Sequence, residues 1–160
     1  MLNYYHTHLF TLIALVAMAE MGLTSFLINR GNLHDTWFSA RYHHLLILAL
    51  FNSVWTTIFA WTYVIWILNG AMHLFASIAG SALWLLITAI LWGTAGGVIA
   101  TTRGGGDCNG DPPLTRCRQS MTVMALCWTE FGLCLLTLFA ACMWVSRSRR
   151  DYRGAYYVPA

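Results

Sequence analysis

The chain has 160 residues, of which 58% are hydrophobic and 9% are charged, and its formal net charge is +3. Soluble domains carry about 25% charged residues, so nine basic and six acidic side chains are too few to cover a soluble fold of this length. The composition excludes an ordinary soluble domain and predicts a chain that is embedded in a membrane.

Four apolar runs are long enough to cross a bilayer as helices, which takes about 18 residues or more. All three prolines lie outside these runs, and the alternating segments of about ten residues that are typical of a membrane β-barrel are missing. The sequence therefore predicts an all-α integral membrane protein, a four-transmembrane-helix antiparallel bundle over residues 1–146. Its spans are predicted at 9–28, 45–68, 72–100 and 121–145, followed by a short basic tail at 147–160.

Short connections join the predicted spans. The first is predicted over 29–44, the second is a tight Asn69-Gly70 turn, and the third covers 101–120. Four spans place both termini on one side of the membrane. Arginines directly after a span favour the cytosol, so the cluster after the last span predicts cytosolic termini. This cluster, which is also a candidate site for anionic lipid headgroups, comprises Arg147, Arg149, Arg150 and Arg153.

Two of the five cysteines flank a turn-forming stretch in the third connection. Cys108 and Cys117 are close enough in sequence to form a disulfide, which requires an oxidising compartment. Two free thiols are the alternative. A disulfide agrees with cytosolic termini, because it places this connection on the opposite side. Cys127, Cys134 and Cys142 lie within the fourth span, where they are most simply small apolar packing residues.

Glu20 and Glu130 are the only charged residues inside the apolar runs, and each lies near the middle of its span with Asn52 at a comparable depth. A charge is costly there and marks a candidate functional site. The two acids could form a proton relay, or they could bind a lipid hydroxyl or amine. The interpretation that we favour is two neutral acids that hydrogen-bond between helices, each worth about 0.6–2 kcal/mol.

Small residues recur at four-residue spacing along the third span. Such a ridge lets helix backbones approach closely in a membrane. The contact could lie within the bundle, which is the favoured interpretation, or between protomers. The residues predicted to pack in this way include Gly80, Ala89, Gly93 and Gly97.

Six histidines lie at or beyond the ends of the predicted spans. His34, His43 and His44, near Asp35, form a weak candidate site for zinc or copper. Two tiers of histidine across the bundle would also suit a two-haem electron carrier. Anchoring at the membrane interface is the favoured interpretation, so we expect no metal and no cofactor other than a bound lipid or sterol.

The motifs of common enzymes are missing from the sequence. It contains no P-loop, HExxH, GxSxG or CxxC pattern, and it offers no long connection in which to house a soluble catalytic domain. We therefore expect neither an enzyme nor a nucleic-acid-binding protein. A small proton-coupled transporter or oligomeric channel that uses Glu20 and Glu130 is one alternative function, and a haem or metal redox protein is another.

The layout resembles that of MARVEL-domain tetraspan membrane proteins, and in particular their fungal, eisosome-associated branch. The similarity rests on the Arg-Tyr-His-His run at 41–44, the Trp-Thr-Thr run at 55–57, Cys117, and the aromatic-plus-glutamate stretch at 125–131. It implies a non-enzymatic organiser or scaffold that associates laterally and contacts lipid in membrane microdomains or trafficking. The expected partners are membrane lipids and copies of this chain or other membrane proteins. The expected location is the plasma membrane or secretory pathway of a eukaryote.

Overall fold

A computed structural model describes residues 2–34, 39–69, 78–103 and 115–155 of the chain. Each of these segments is essentially one long helix. In chain order the helices are α1 (Leu2–His34), α2 (Ala40–Asn69), α3 (Ile78–Arg103) and α4 (Arg116–Ala155).

Every helix contains a stretch that is apolar and long enough to cross a membrane. The shortest has 23 residues, and a rise of about 1.5 Å per residue makes it longer than the hydrocarbon core of about 30 Å. The prediction of an all-helical chain with four long apolar helices is thus confirmed for the described residues, whereas the antiparallel order and the side of the termini stay predictions. The four apolar stretches are Thr7–Leu33, Ala40–Trp66, Gly80–Thr102 and Cys117–Met143.

The helices extend further than the apolar runs predicted. Because α1 continues through His34 and α2 begins at Ala40, the prediction of a connection over 29–44 is wrong at both ends. The prediction of a third connection over 101–120 is wrong in the same way, since α3 runs to Arg103 and α4 begins at Arg116. An established helix gains one hydrogen bond for each residue that it adds, so it need not stop where the apolar run stops. The predicted Asn69-Gly70 turn lies partly outside the described residues.

The predicted basic tail is also helical over most of its length. Helix α4 continues without a break to Ala155, beyond the apolar stretch that ends at Met143, so residues 147–155 of the predicted basic tail are helical. The backbones of the four arginines of the cluster lie on this extension, and their side chains lie outside the description.

Helix packing pairs α1 with α2 and α3 with α4, and contacts of α1 with α4 and of α2 with α3 complete the bundle. Large apolar side chains face both inwards and outwards. Trp92, Leu46 and Ile99 are buried between the helices, whereas Phe139 and Ile90 are exposed on the outside. This arrangement is expected in a membrane, because lipid is as apolar as the protein core.

Small residues of α3 bring it close to α4. A Cβ atom added at Gly93 would lie 3.1 Å from the ring of Phe131, and one added at Gly96 would lie 3.3 Å from the Cβ of Cys127. Ala89 is buried and Gly80 is half-buried. A Cβ atom at Gly97, in contrast, would meet none of the described residues within 4 Å. Gly93 and Gly96 therefore pack within the bundle, whereas Gly97 borders open space.

Candidate functional site

Three of the predicted site residues lie at or next to the middle of the apolar stretches. Glu20 is the central residue of Thr7–Leu33, and Glu130 is the central residue of Cys117–Met143. Asn52 is one position from the centre of the stretch on α2. Their exposed fractions are 0% for each glutamate and 1% for Asn52. These three residues are therefore sealed inside the bundle at mid-depth.

The Glu20 carboxyl of α1 contacts α4 through a thiol. Cys127 Sγ donates a hydrogen bond of 3.2 Å to Glu20 Oε1. The second oxygen of this carboxyl, Oε2, is buried and has no hydrogen-bond partner in the described segments. Thr24 Oγ1 donates to the backbone carbonyl of Glu20 at 2.7 Å, which is a bond within the helix. The Glu20 carboxyl thus has one hydrogen-bonded oxygen and one oxygen without a described partner.

The Glu130 carboxyl is more isolated. Both of its oxygens are buried without a hydrogen-bond partner among the described residues. Cys127, whose thiol bonds to Glu20, and Cys134 are both buried on the same helix as Glu130. The two cysteines precede and follow Glu130 by one helical turn, which places all three on one face of α4. The structure therefore places both acids and both thiols in the buried interior of the bundle, with one bond, from Cys127 to Glu20, described between α4 and α1.

Cys127 has a role besides the packing that the sequence predicts. It is buried in the hydrophobic core, and its thiol also hydrogen-bonds to the carboxyl of Glu20. The spacing of one turn between Cys127 and Glu130 indicated a shared face, yet nothing in the sequence indicates that this face turns towards α1. Cys127 and Cys134 both carry free, buried thiols.

Asn52 links two other helices. Its Nδ2 atom donates a hydrogen bond of 3.2 Å to the backbone carbonyl of Leu91 on α3. Its Oδ1 atom is buried and lacks a donor in the part of the chain that is described. Asn52 therefore joins α2 to α3, while Glu20 and Cys127 join α1 to α4.

A second link between α2 and α3 was not predicted. Trp92, which is fully buried, donates its indole N–H to Thr56 Oγ1 at 3.0 Å. Buried indole N–H groups need such an acceptor. Tryptophan and threonine are both common in apolar helices, so the sequence has no signal that pairs these two residues.

Substituting Thr56 by valine is expected to destabilise the protein by about 1–3 kcal/mol. The change keeps the size of the side chain but leaves the Trp92 N–H buried without an acceptor. Thr62 of the same helix is the matched control, because its hydroxyl bonds to its own helix at Ile58. Reversible unfolding in mixed micelles, followed by circular dichroism, should find Thr62→Val close to the wild type. Equal losses for both variants would contradict the assigned role of Thr56.

The predicted disulfide is only partly described. Cys117 is disulfide-bonded, but Cys108 lies outside the described residues. The pairing of Cys108 with Cys117 therefore stays a prediction.

The candidate metal site on the histidines is also only partly described. The rings of His43 and His44 stack with their centroids 5.8 Å apart near the start of α2. The side chain of His34 and all of Asp35 lie outside the description. Among the residues that are described, no group of three histidine, cysteine or acidic side chains is arranged to hold a metal ion.

No protein-family model, no curated protein and no solved structure matches this chain. The resemblance to MARVEL-domain proteins is therefore still a hypothesis from sequence.

Proposed function

We propose that this protein is a non-enzymatic membrane organiser that acts by lateral self-association and by contact with lipid. The observation that carries the proposal is an outward-facing surface of small residues on α4, formed by Ala125, Thr129 and Gly132. All three are exposed, and their spacing of four and three residues places them on one face of the helix.

Gly132 borders open space on this surface. A Cβ atom added there would meet nothing within 4 Å among the described residues, so none of the four helices as described fills the space beside it. Association of helices in a membrane depends on close van der Waals packing, and small residues permit it. A helix of a second copy can therefore pack closely against Ala125, Thr129 and Gly132. At the neighbouring Leu136, a large exposed side chain keeps such a helix further away.

The orientation of the protein in the membrane, as we propose it, rests on the predictions from the sequence. An antiparallel bundle with cytosolic termini places the arginine cluster on the extension of α4 at the inner leaflet, where each cation near the surface attracts anionic lipid by about 1 kcal/mol. The Cys108–Cys117 bridge would then shape the opposite face. A lipid or sterol bound around the bundle, and a plasma-membrane or secretory-pathway location, belong to the same proposal, as does membership of the MARVEL-like proteins.

Replacing Gly132 by leucine is expected to weaken self-association about tenfold, which corresponds to about 1.4 kcal/mol. The added side chain enters open space and leaves the inside of the bundle unchanged, so folding should persist. Single-molecule photobleaching in lipid vesicles at several protein densities measures the fraction of dimers or larger assemblies.

Gly22 of α1 is the matched control for this experiment. A Cβ atom there also meets none of the described residues within 4 Å, so Gly22→Leu adds the same bulk to a different helix and should associate like the wild type. A wild-type protein that remains monomeric, or a Gly132→Leu variant that associates normally, would refute the proposed α4 surface.

Proton-coupled transport is a second candidate function, and the acid pair at mid-depth favours it. Ionisable residues inside a membrane commonly mark proton and ion pathways. Replacing both Glu20 and Glu130 by glutamine separates the two functions. If the protein is a transporter, the double variant should no longer show proton-driven uptake into vesicles. If it is an organiser, the double variant should associate through Gly132 as the wild type does.

A further inference from the structure

The contact between α1 and α4 contains more buried acceptors than donors. Glu20 Oε2 and both carboxyl oxygens of Glu130 are buried without a hydrogen-bond partner in the described segments. An ionised carboxyl group can only accept hydrogen bonds. The one described donor to either carboxyl is the thiol of Cys127, which is bonded to Glu20 Oε1. Three carboxyl oxygens at mid-depth therefore lack a donor.

The surrounding helices show the same imbalance. On α2, Asn52 Oδ1 is buried without a donor, and on α3, Thr88 Oγ1 is buried without any hydrogen-bond partner among the described residues. Each of these two side chains is 1% exposed. The unpaired acceptors of the polar interior thus extend beyond the acid pair itself.

The described part of the bundle supplies no positive charge to balance these oxygens. Its buried polar side chains are acids, hydroxyls and an amide, with no arginine or histidine among them. The other titratable groups near the acids are Cys127 and Cys134 on α4. On α2 the buried titratable residue is Tyr63, which packs against Phe10 and Trp84, and α3 has no buried titratable residue in its described part.

We infer that Glu20 and Glu130 form a binding site for a small monovalent cation, a proton or a sodium ion, between α1 and α4. Glu20 and Glu130 are both fully buried, and Cys127, which bonds to Glu20, lies one turn from Glu130 on α4. Two acids in one buried interior are costly unless a positive charge or a proton compensates them. A calcium ion would need about six to eight oxygen ligands, and the described residues contain no cluster of three metal-binding side chains. The complete burial of both acids leaves no room for a bulky organic cation.

A bound cation would join the two helix pairs of the bundle, α1 with α2 and α3 with α4. The described side-chain bond between α1 and α4 is the one from Cys127 to Glu20, and a cation between the carboxyls would add a second link. The inference goes beyond the organiser function and does not depend on it, because the site lies inside one chain and the proposed association surface lies outside.

The test is the melting temperature of the full-length protein in detergent, measured against salt and pH. A cation that binds only the folded protein should raise the melting temperature by about 5–10 °C at a hundredfold excess over its dissociation constant. For sodium, the rise appears with sodium chloride and not with choline chloride at constant pH. For a proton, the melting temperature falls as the pH is raised and sodium has no effect.

Replacing both Glu20 and Glu130 by glutamine should abolish this dependence, because glutamine has nearly the same shape but neither attracts a cation nor takes up a proton in this range. Thr137 is the matched control: it is buried on α4 two turns from Glu130 and bonds to its own helix at Leu133. Thr137→Val should keep the full dependence. A wild type that responds to neither cation, or a double variant that responds like the wild type, would overturn the inference.

Carbodiimide labelling of the wild-type protein tests for the cation site if the double variant does not fold. Dicyclohexylcarbodiimide enters membranes and adds to protonated carboxyl groups, and mass spectrometry locates the adduct. If labelling of Glu20 or Glu130 declines when sodium chloride is added, the site binds sodium. If the labelling declines only when the pH is raised, the site binds a proton. No adduct, or an adduct that is insensitive to both, overturns the inference.

Discussion

Replacing Trp92 by alanine is expected to destabilise the bundle by about 3–5 kcal/mol, in the range found for buried aromatic residues. Trp92 heads the fully buried side chains in volume, with an exposed fraction of 0%. Its removal creates a cavity between α2 and α3 and takes away the donor to Thr56 Oγ1. Dispersion contacts are the main attraction between helices in a membrane. Because lipid cannot enter this cavity, the lost contacts should lower the free energy of unfolding without compensation.

Trp61 is the matched control for Trp92. It is 37% exposed on α2 and faces outwards, where lipid can replace the lost contacts. Trp61→Ala should therefore change the free energy of unfolding by about 0.5 kcal/mol or less. Unfolding in mixed micelles should be followed by circular dichroism, since both variants alter the tryptophan fluorescence. Similar losses for the two variants would mean that Trp92 is not a core residue.

Replacing Gly93 by leucine is expected to destabilise the protein by about 1–3 kcal/mol or more, because it overpacks the contact between α3 and α4. Even the Cβ atom would lie 3.1 Å from two atoms of the Phe131 ring, and the remaining leucine carbons must enter space that this ring occupies. Phe131 also packs edge-on against Trp128, with ring centroids 5.6 Å apart, so it cannot move without disturbing a second aromatic residue.

Two further variants test this explanation. Gly97 lies one turn further along α3 and borders open space, so Gly97→Leu should have little effect on the same unfolding measurement. Combining Gly93→Leu with Phe131→Ala should cost less than the sum of the two single changes, because the smaller side chain makes room for leucine. Strict additivity of the two changes would contradict a direct clash.

The sequence predicted the number of helices and the depth of the acids, because both depend on counting along the chain. A helix crosses lipid when its apolar stretch is long enough, and the middle of such a stretch is the middle of the membrane wherever its neighbours lie. Glu20 and Glu130 could therefore be placed at mid-depth without knowledge of the packing. The helix ends at His34 and Ala155 were missed for the same reason, since the end of an apolar run is not the end of a helix.

The rotation of each helix about its own axis was decided only by the tertiary structure. A helix that is surrounded by lipid and by other apolar helices is hydrophobic on all sides, so the usual stripe that tells an inner face from an outer face is weak or missing. Nothing along the chain distinguishes Gly93, where an added Cβ atom would meet the Phe131 ring, from Gly97 and Gly132, where it would meet no described atom within 4 Å. The bond from Cys127 to Glu20 and the bond from Trp92 to Thr56 likewise exist because particular faces of different helices meet.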